Sequence, residues 1–304
     1  MNFGSSWRLL SAGVLWVVAT GFLLTGCPPP GVCLNCPSFQ QVGTFSSPEI
    51  TECSGLVASQ SNPGILWVHN DSGDSARLFA VGENGALRGV YTLEGVVAVD
   101  WEDLAWGPCS DHGWADCLYV GDIGDNARTR AGIQIYRVPE PLVPVEGPPV
   151  NEVLTGVERF DCEYPDGPHD AETLLVDPAE GIPYVVTKDL AGSTAAYRFP
   201  SPPEAGAIET LEKVAVLVGR SLLTAGDVSP DGGRIVLRGY AGAFEYPLPP
   251  GGTFADMFLE TPCAKTLAPE AQGEALAIGP SGLGIFTASE GAGAPIHKAE
   301  CTLP

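Results

Sequence analysis

Five short stretches of this chain repeat one pattern, and a repeat of this length allows few folds. They are "TECSGLVAS" from Thr51, "VDWEDLAWG" from Val99, "HDAETLLVD" from His169, "LTAGDVSPD" from Leu223 and "AQGEALAIG" from Ala271. Aligned on Leu56, Leu104, Leu174, Val228 and Leu276, they lie 48, 70, 54 and 48 residues apart. A four-stranded propeller blade repeats on this scale, about 40–50 residues, and the longest interval leaves room for a loop insertion. After each opening comes a second strand-like run: "ILWVHND", "CLYVGDI", "PYVVTKD", "RIVLRGY" and "GLGIFTASE". A third follows in "RLFAV", "IQIYRV", "AAYRF", "AFEYPL" and "PIHKAE". Four repeats add a fourth, in "RGVYTL", "EVLTGVERF", "EKVAVLV" and "AKTLAP". The last repeat runs out at Pro304, and a spare strand, "QQVGTF" (Gln40 to Phe45), stands at the other end. Pairing the two closes a ring, because circular closure leaves no free seam between the last blade and the first. The fold class expected is all-β, a five-bladed β-propeller whose N-terminal strand completes the last blade. A six-bladed ring with a degenerate blade in the 70-residue interval is the alternative. A β-sandwich does not explain the period.

The domain organisation expected is a leader at 1–26, a lipidated cysteine and Pro-rich tether at 27–38, and the propeller at 39–304. Residues 9–26 run apolar behind Arg8 and end in "LLTGC", which has the form of an export signal. "LLTGC" resembles a bacterial lipobox, which implies cleavage before Cys27 and lipid on Cys27. Pro28, where an aspartate would mark inner-membrane retention, favours an outer-membrane or surface address in the bacterial envelope. Removing residues 1–26 leaves 278 residues and takes the net charge from −22 to −23. With no basic stripe, nucleic acid is an unsuitable partner, and the lipid has to hold the chain at the membrane.

Besides Cys27 there are eight cysteines, an even number that suits disulfides in an exported chain. Of their pairings only Cys109–Cys117 is chosen, because the two flank "SDHGWAD" between strand-like runs. Cys33 and Cys36 in "CLNC" read as structural bridges rather than as a redox or zinc half-site.

In a propeller the first strand of each blade lines the central channel. One position of the repeat reads Ser54, Glu102, Glu172, Gly226 and Glu274. Two residues earlier it reads Glu52, Asp100, Asp170, Thr224 and Gln272. The two layers share a face by the strand's period of two. Carboxylates gathered there raise one another's pKa, and a cation relieves that cost. Oxygen-only donors select a hard cation, and calcium suits an irregular oxygen cage. The expected ligands are Glu102, Glu172 and Glu274, with Glu52, Asp100 and Asp170 as a second layer. "HNDSGDS", "GDIGDN" and "TKD" read first as turns, with Asp122 and Asn126 the members to test. His169, then His69, is the candidate for a catalytic base, although no G-x-S-x-G nucleophile motif is present. Trp67 and Trp101 read as core.

"ECSGL", "WEDLA", "AETLL" and "GEALA" are similar to blade openings of the SdiA-regulated family of bacterial propellers. The resemblance covers much of Thr51 to Ile278. It implies a propeller related to NHL-type repeats with a calcium site, which would fall on Glu102, Glu172 and Glu274. The family's glycine after the acid is replaced here by Asp103, Thr173 and Ala275. More distant calcium propellers of the paraoxonase and gluconolactonase type include lactonases and esterases. The function expected is a lipid-anchored, calcium-binding module that takes a small molecule or an envelope protein. The alternative is a calcium-dependent esterase, lactonase or phosphoesterase, and a redox role for Cys33 and Cys36 is a third idea.

Overall fold

The computed structural model describes residues 1, 31–109, 116–190, 192 and 194–304. Residues 2–26 of the leader, Cys27, residues 28–30 of the expected tether, His112 and Trp114 lie outside the described residues. Five sheets, antiparallel but for one added parallel strand on each of the first two, form the blades. Their innermost strands are Cys53–Ala58, Trp101–Pro108, Ala171–Val176, Leu223–Val228 and Gly273–Ile278. Each packs against the next, and the fifth returns to the first, so they enclose an axis. In the fifth blade, Gln40–Thr44 pairs antiparallel with Pro295–Glu300, which closes the ring as expected.

The long interval holds no sixth blade. The run "EVLTGVERF", expected as one strand, is two. Val150–Leu154 adds parallel to the outer strand of the first blade, Leu87–Leu93. Glu158–Glu163 is the fourth strand of the second blade. Gly156 separates them at φ 73°, a left-handed conformation that glycine adopts without steric penalty.

The core lies between blades rather than at the centre. Leu56, Phe79, Phe286 and Ile296 fill the seam between the fifth and first blades. Trp67, Tyr91, Trp101 and Leu104 fill the seam between the first and second, so both tryptophans are core. With both faces covered, the inner strands read as continuous apolar runs broken only where they reach the channel.

Three disulfides are present among the described residues: Cys33–Cys263, Cys36–Cys301 and Cys109–Cys117. Cys53 and Cys162 are free and buried, so not all eight cysteines pair. Residues 31–38, expected as part of a tether, are instead stapled to the fourth and fifth blades by the first two bridges. Asn35 also pairs with Thr302 there, and Leu34 is buried.

Candidate functional site

Every innermost strand is irregular near its start. The register breaks between Cys53 and Leu56, Trp101 and Asp103, Ala171 and Thr173, Leu223 and Ala225, and Gly273 and Ala275. Such a bulge leaves one residue unpaired and re-aims its side chain. The bulged ring therefore reads Ser54, Glu102, Glu172, Thr224 and Glu274. This corrects the fourth repeat, where alignment on Val228 had placed Gly226. A two-residue slip keeps the same residues on each face, so the pattern of "LTAGDV" accepts either register. The two hydroxyls of the ring stitch neighbouring blades: Ser54 Oγ donates to the Glu102 carbonyl at 2.5 Å and Thr224 Oγ1 to the Gly273 carbonyl at 2.9 Å.

The three glutamates of the ring do not behave alike. Glu102, Asp170 and Glu172 bring one oxygen each within 4.8 Å of one another, and Asp71, Asp100 and Glu102 do the same. Glu102 thus belongs to both groups. Glu102, Asp170 and Glu172 are buried, while Asp71 and Asp100 are half-buried at the mouth. Glu274 lies outside both groups. It accepts from the Tyr240 hydroxyl and from Gln272 Nε2 at 3.5 Å. Glu52 is exposed and also lies outside them.

A second ring borders the first. The residue after each second strand returns to the channel mouth. Asp71 N donates to the Glu52 carbonyl at 2.8 Å, Lys188 N to the Asp170 carbonyl at 2.9 Å and Glu290 N to the Gln272 carbonyl at 3.0 Å. Tyr240 follows Gly239, which pairs with Leu223. In the second blade the chain is one residue longer, and Gly124 N reaches the Asp100 carbonyl at 3.1 Å. Lys188 Nζ donates to Glu172 Oε1 at 2.7 Å. Sequence reasoning read the stretches that hold Asp71 and Lys188 as turns, and it missed Tyr240 and Glu290. Their signal was positional, since each ends or directly follows a second-strand run.

"GDIGDN" is more than a turn. The Asp122 carboxylate accepts from Val99 N and Asp100 N at 3.0 and 3.1 Å and from Arg130 Nη2 at 2.8 Å. Asp125 N donates to Asp170 Oδ1 at 3.0 Å. The loop therefore holds Asp100 and Asp170 in place. Gly124 allows the close approach: a Cβ there would overlap Glu102 Oε1 and stand 2.6 Å from Asp100 Oδ2. Asn126 is exposed.

Burial pushes the Glu102 carboxyl well above the usual carboxylate range, and Glu172, Asp71, Asp100 and Asp170 push the same way. Burial raises Glu172 to about 8, with Lys188 opposing and Glu274 and Asp170 adding. Asp71 is raised to about 6 by burial, opposed by the Ser72 amide and helped by Asp100, Glu274 and Glu52. Glu290 is raised to about 8 by burial and by its hydrogen bond with Glu274. One oxygen of Glu102, Oε1, and one of Glu172, Oε2, have no hydrogen-bond partner. Buried polar atoms of folded proteins are almost always satisfied. Two such oxygens, from different blades and among clustered carboxylates, fit a bound cation. The residues present could hold a metal ion, and their oxygen-only chemistry suits a hard one.

The histidines stand apart. His169 Nε2 lies 3.0 Å from Asp166 Oδ1 and 3.0 Å from the Tyr197 hydroxyl, and its ring packs on Tyr164. His69 is fully buried, with Nδ1 2.8 Å from the Asn70 carbonyl and its ring edge-on to Trp101. Burial lowers its pKa to about 4, so it is neutral. Neither belongs to the carboxylate groups.

No protein-family model matches the chain, and no curated protein does. The resemblance to the SdiA-regulated propellers therefore rests on its short motifs alone. Solved structures do match. One, described as XC5397 from Xanthomonas campestris, a gluconolactonase important in glucose secondary metabolic pathways, is 12% identical and covers 91% of this chain and 98% of that one at a TM-score of 0.48.

Proposed function

We propose that the mouth of this propeller is a calcium site, and that the protein is a calcium-dependent hydrolase of esters, lactones or phosphoesters. The observation that carries this reading is the pair of buried glutamate oxygens, Glu102 Oε1 and Glu172 Oε2, left without partners beside Asp71, Asp100 and Asp170. Bound there, calcium supplies electrophilic polarisation of a carbonyl or phosphoryl oxygen. The groups around it exceed what holding an ion needs. Lys188 orients Glu172 through its ion pair and offers a cation to an anionic group on a substrate. Tyr240 is 47% exposed and presents its ring at the mouth. With His169 and His69 elsewhere, a carboxyl is the candidate for proton transfer among the described residues, and Glu290 and Glu274 are hydrogen-bonded to each other at the rim.

A second reading is a non-catalytic module that binds a small molecule or an envelope protein through the same ion. Among the described residues no histidine joins the carboxylate groups, which favours it. Both readings include export and a lipid on Cys27, with an outer-membrane or surface address. An ester, lactone and phosphoester panel with calcium and with chelator separates them. Turnover that disappears with chelator and in Glu172→Gln supports the hydrolase. Calcium binding with no turnover on any member of the panel overturns it and leaves the binding module.

A further inference from the structure

The chain's entry into the propeller fixes more than the ring closure. The innermost strands start at the acidic mouth and run to the opposite face. In the fourth blade, Arg234–Gly239 returns to the mouth, and Gly242–Pro247 runs away from it again, with Arg234 paired to Pro247. Leu248 therefore sits on the face opposite the carboxylates. Gly31 N donates to the Leu248 carbonyl at 2.7 Å, so the described chain enters the propeller on that face too.

The segment after Gly31 is held rigidly. Cys33 is bridged to Cys263 and Cys36 to Cys301. Between them the Leu34 amide donates to the buried Glu245 carboxylate at 3.1 Å, and Lys265 Nζ donates to the Leu34 carbonyl. Asn35 and Thr302 exchange both backbone hydrogen bonds, at 2.9 and 2.8 Å. A passive tether would need none of this.

We infer that this staple orients the molecule on a lipid surface, with the face carrying Leu248 toward the bilayer and the acidic mouth facing away from it. The inference rests on the reading of Cys27 as the lipid site. From Cys27 to Gly31 there are four residue steps, which span at most about 14 Å fully extended. A leash that short, tied to a rigid point on one face, cannot let the opposite face reach the lipid. The orientation comes from geometry alone, which suits a mature chain of net charge −23 (−22 less the charge of Arg8) that anionic headgroups repel. The mouth is thereby presented to soluble substrates or ligands rather than to lipids.

The test uses the mature chain from residue 27 on phosphatidylcholine vesicles whose headgroups carry a quencher. A dye is placed at Leu190→Cys, at the mouth, or at Leu259→Cys, on the other face; both residues are exposed, at 79% and 70%. One arm carries the native lipid. The other carries Cys27→Ser with a hexahistidine directly before it, held on nickel-chelating lipid. The expected result is several-fold stronger quenching at 259 than at 190 in both arms. A Gly/Ser insertion of about 20 residues after Pro30 should even out the two positions, because a flexible leash frees the rotation. Equal quenching on the short leash, or stronger quenching at 190, overturns the orientation. Membrane association that survives Cys27→Ser without the hexahistidine removes the lipid reading, while the tethered arm still decides the orientation.

Discussion

If the mouth holds calcium as proposed, removing the ion should change both the size and the sign of what Glu102 does for stability. A ligand bound only by the folded state stabilises it by RT ln(1 + [L]/Kd), which is about 2.7 kcal/mol at a hundred times Kd. In a domain of this size each kcal/mol moves Tm by about 2–4 °C, so chelation should lower Tm by about 5–10 °C. With the ion gone, Glu102 remains 1% exposed, beside Asp71, Asp100, Asp170 and Glu172. Its pKa is then raised above the unfolded value. A raised carboxyl pKa costs nothing at low pH and destabilises as the pH climbs past the unfolded value, up to the folded one. Glu102→Gln removes that penalty and keeps the side chain's size. The variant should therefore be less stable than the parent in calcium at pH 8, and as stable or more so in chelator. At pH 5 in chelator most of the difference should disappear. Thermal scans of both proteins, with calcium and with chelator at the two pH values, test this. A parent Tm indifferent to chelator would refute the cation site. A variant destabilised equally with and without calcium would show that Glu102 is a packing residue.

Three further outcomes rest on single features of the structure. Gly124→Ala should weaken calcium binding by at least about tenfold, the equivalent of 1.4 kcal/mol, because its methyl overlaps Glu102 Oε1; calorimetry reads this, and an unchanged affinity would show that the loop gives way. Asp227 is fully buried and accepts from Val228 N and Ile278 N, and burial raises it to about 7. Stability should therefore fall as the pH rises from about 4 to 7, by at most about 1.4 kcal/mol per pH unit from this group. Asp227→Asn should flatten that slope in urea unfolding, and an unchanged slope would assign it to other groups. The Cys33–Cys263 bridge spans 230 residues, and with it closed Cys36–Cys301 adds a loop of roughly 40 residues worth about 4 kcal/mol by chain entropy. Cys36→Ser with Cys301→Ser should cost about that much in a urea titration, and a loss below about 1 kcal/mol would mean that backbone pairing alone fixes the strap.

The blade count and the ring closure were legible because they rest on apolar periodicity, which survives in a single sequence. Three features were not. Val150–Leu154 joins the neighbouring blade in parallel, and no local pattern states which sheet a strand will extend. Gly156 was the available sign that "EVLTGVERF" is two strands, but a glycine within an apolar run also fits a bulge. The fourth repeat was placed two residues off because a slip of two preserves the in–out pattern. Only the bulge, which recurs at one level in all five blades, settles that Thr224 and not Gly226 stands beside the glutamates. Asp71, Lys188, Tyr240 and Glu290 come at the ends of strands, where polar residues are ordinary turn formers. Their convergence depends on the ring and not on their neighbours in sequence.

Five-fold pseudo-symmetry suggested acids meeting on the axis, but the side chains divide the mouth in two. Asp71 comes from the first blade, Asp100 and Glu102 from the second, and Asp170 and Glu172 from the third, so the carboxylate groups sit on one side. The fourth and fifth blades supply Tyr240, Glu274 and Glu290, linked to one another rather than to that cluster. Lys188 stands between the halves, paired with Glu172 and 5.7 Å from the Tyr240 ring centre. Ser54 and Thr224 occupy bulge positions where further carboxylates would have made the ring uniform, and they bond to backbone instead. A uniform ring of acids would surround an ion on all sides and close it off. Concentrating the acids on three blades leaves the other two free to present a hydroxyl and a hydrogen-bonded carboxyl pair to whatever occupies the open side. Substitutions should divide accordingly: Glu102→Gln and Asp170→Asn should abolish calcium binding, while Tyr240→Phe and Glu290→Gln should leave the calcium Kd within about twofold and act on turnover or ligand affinity. Loss of calcium affinity in Glu290→Gln as large as in Glu102→Gln would mean that the ion lies across both halves and that no open side exists.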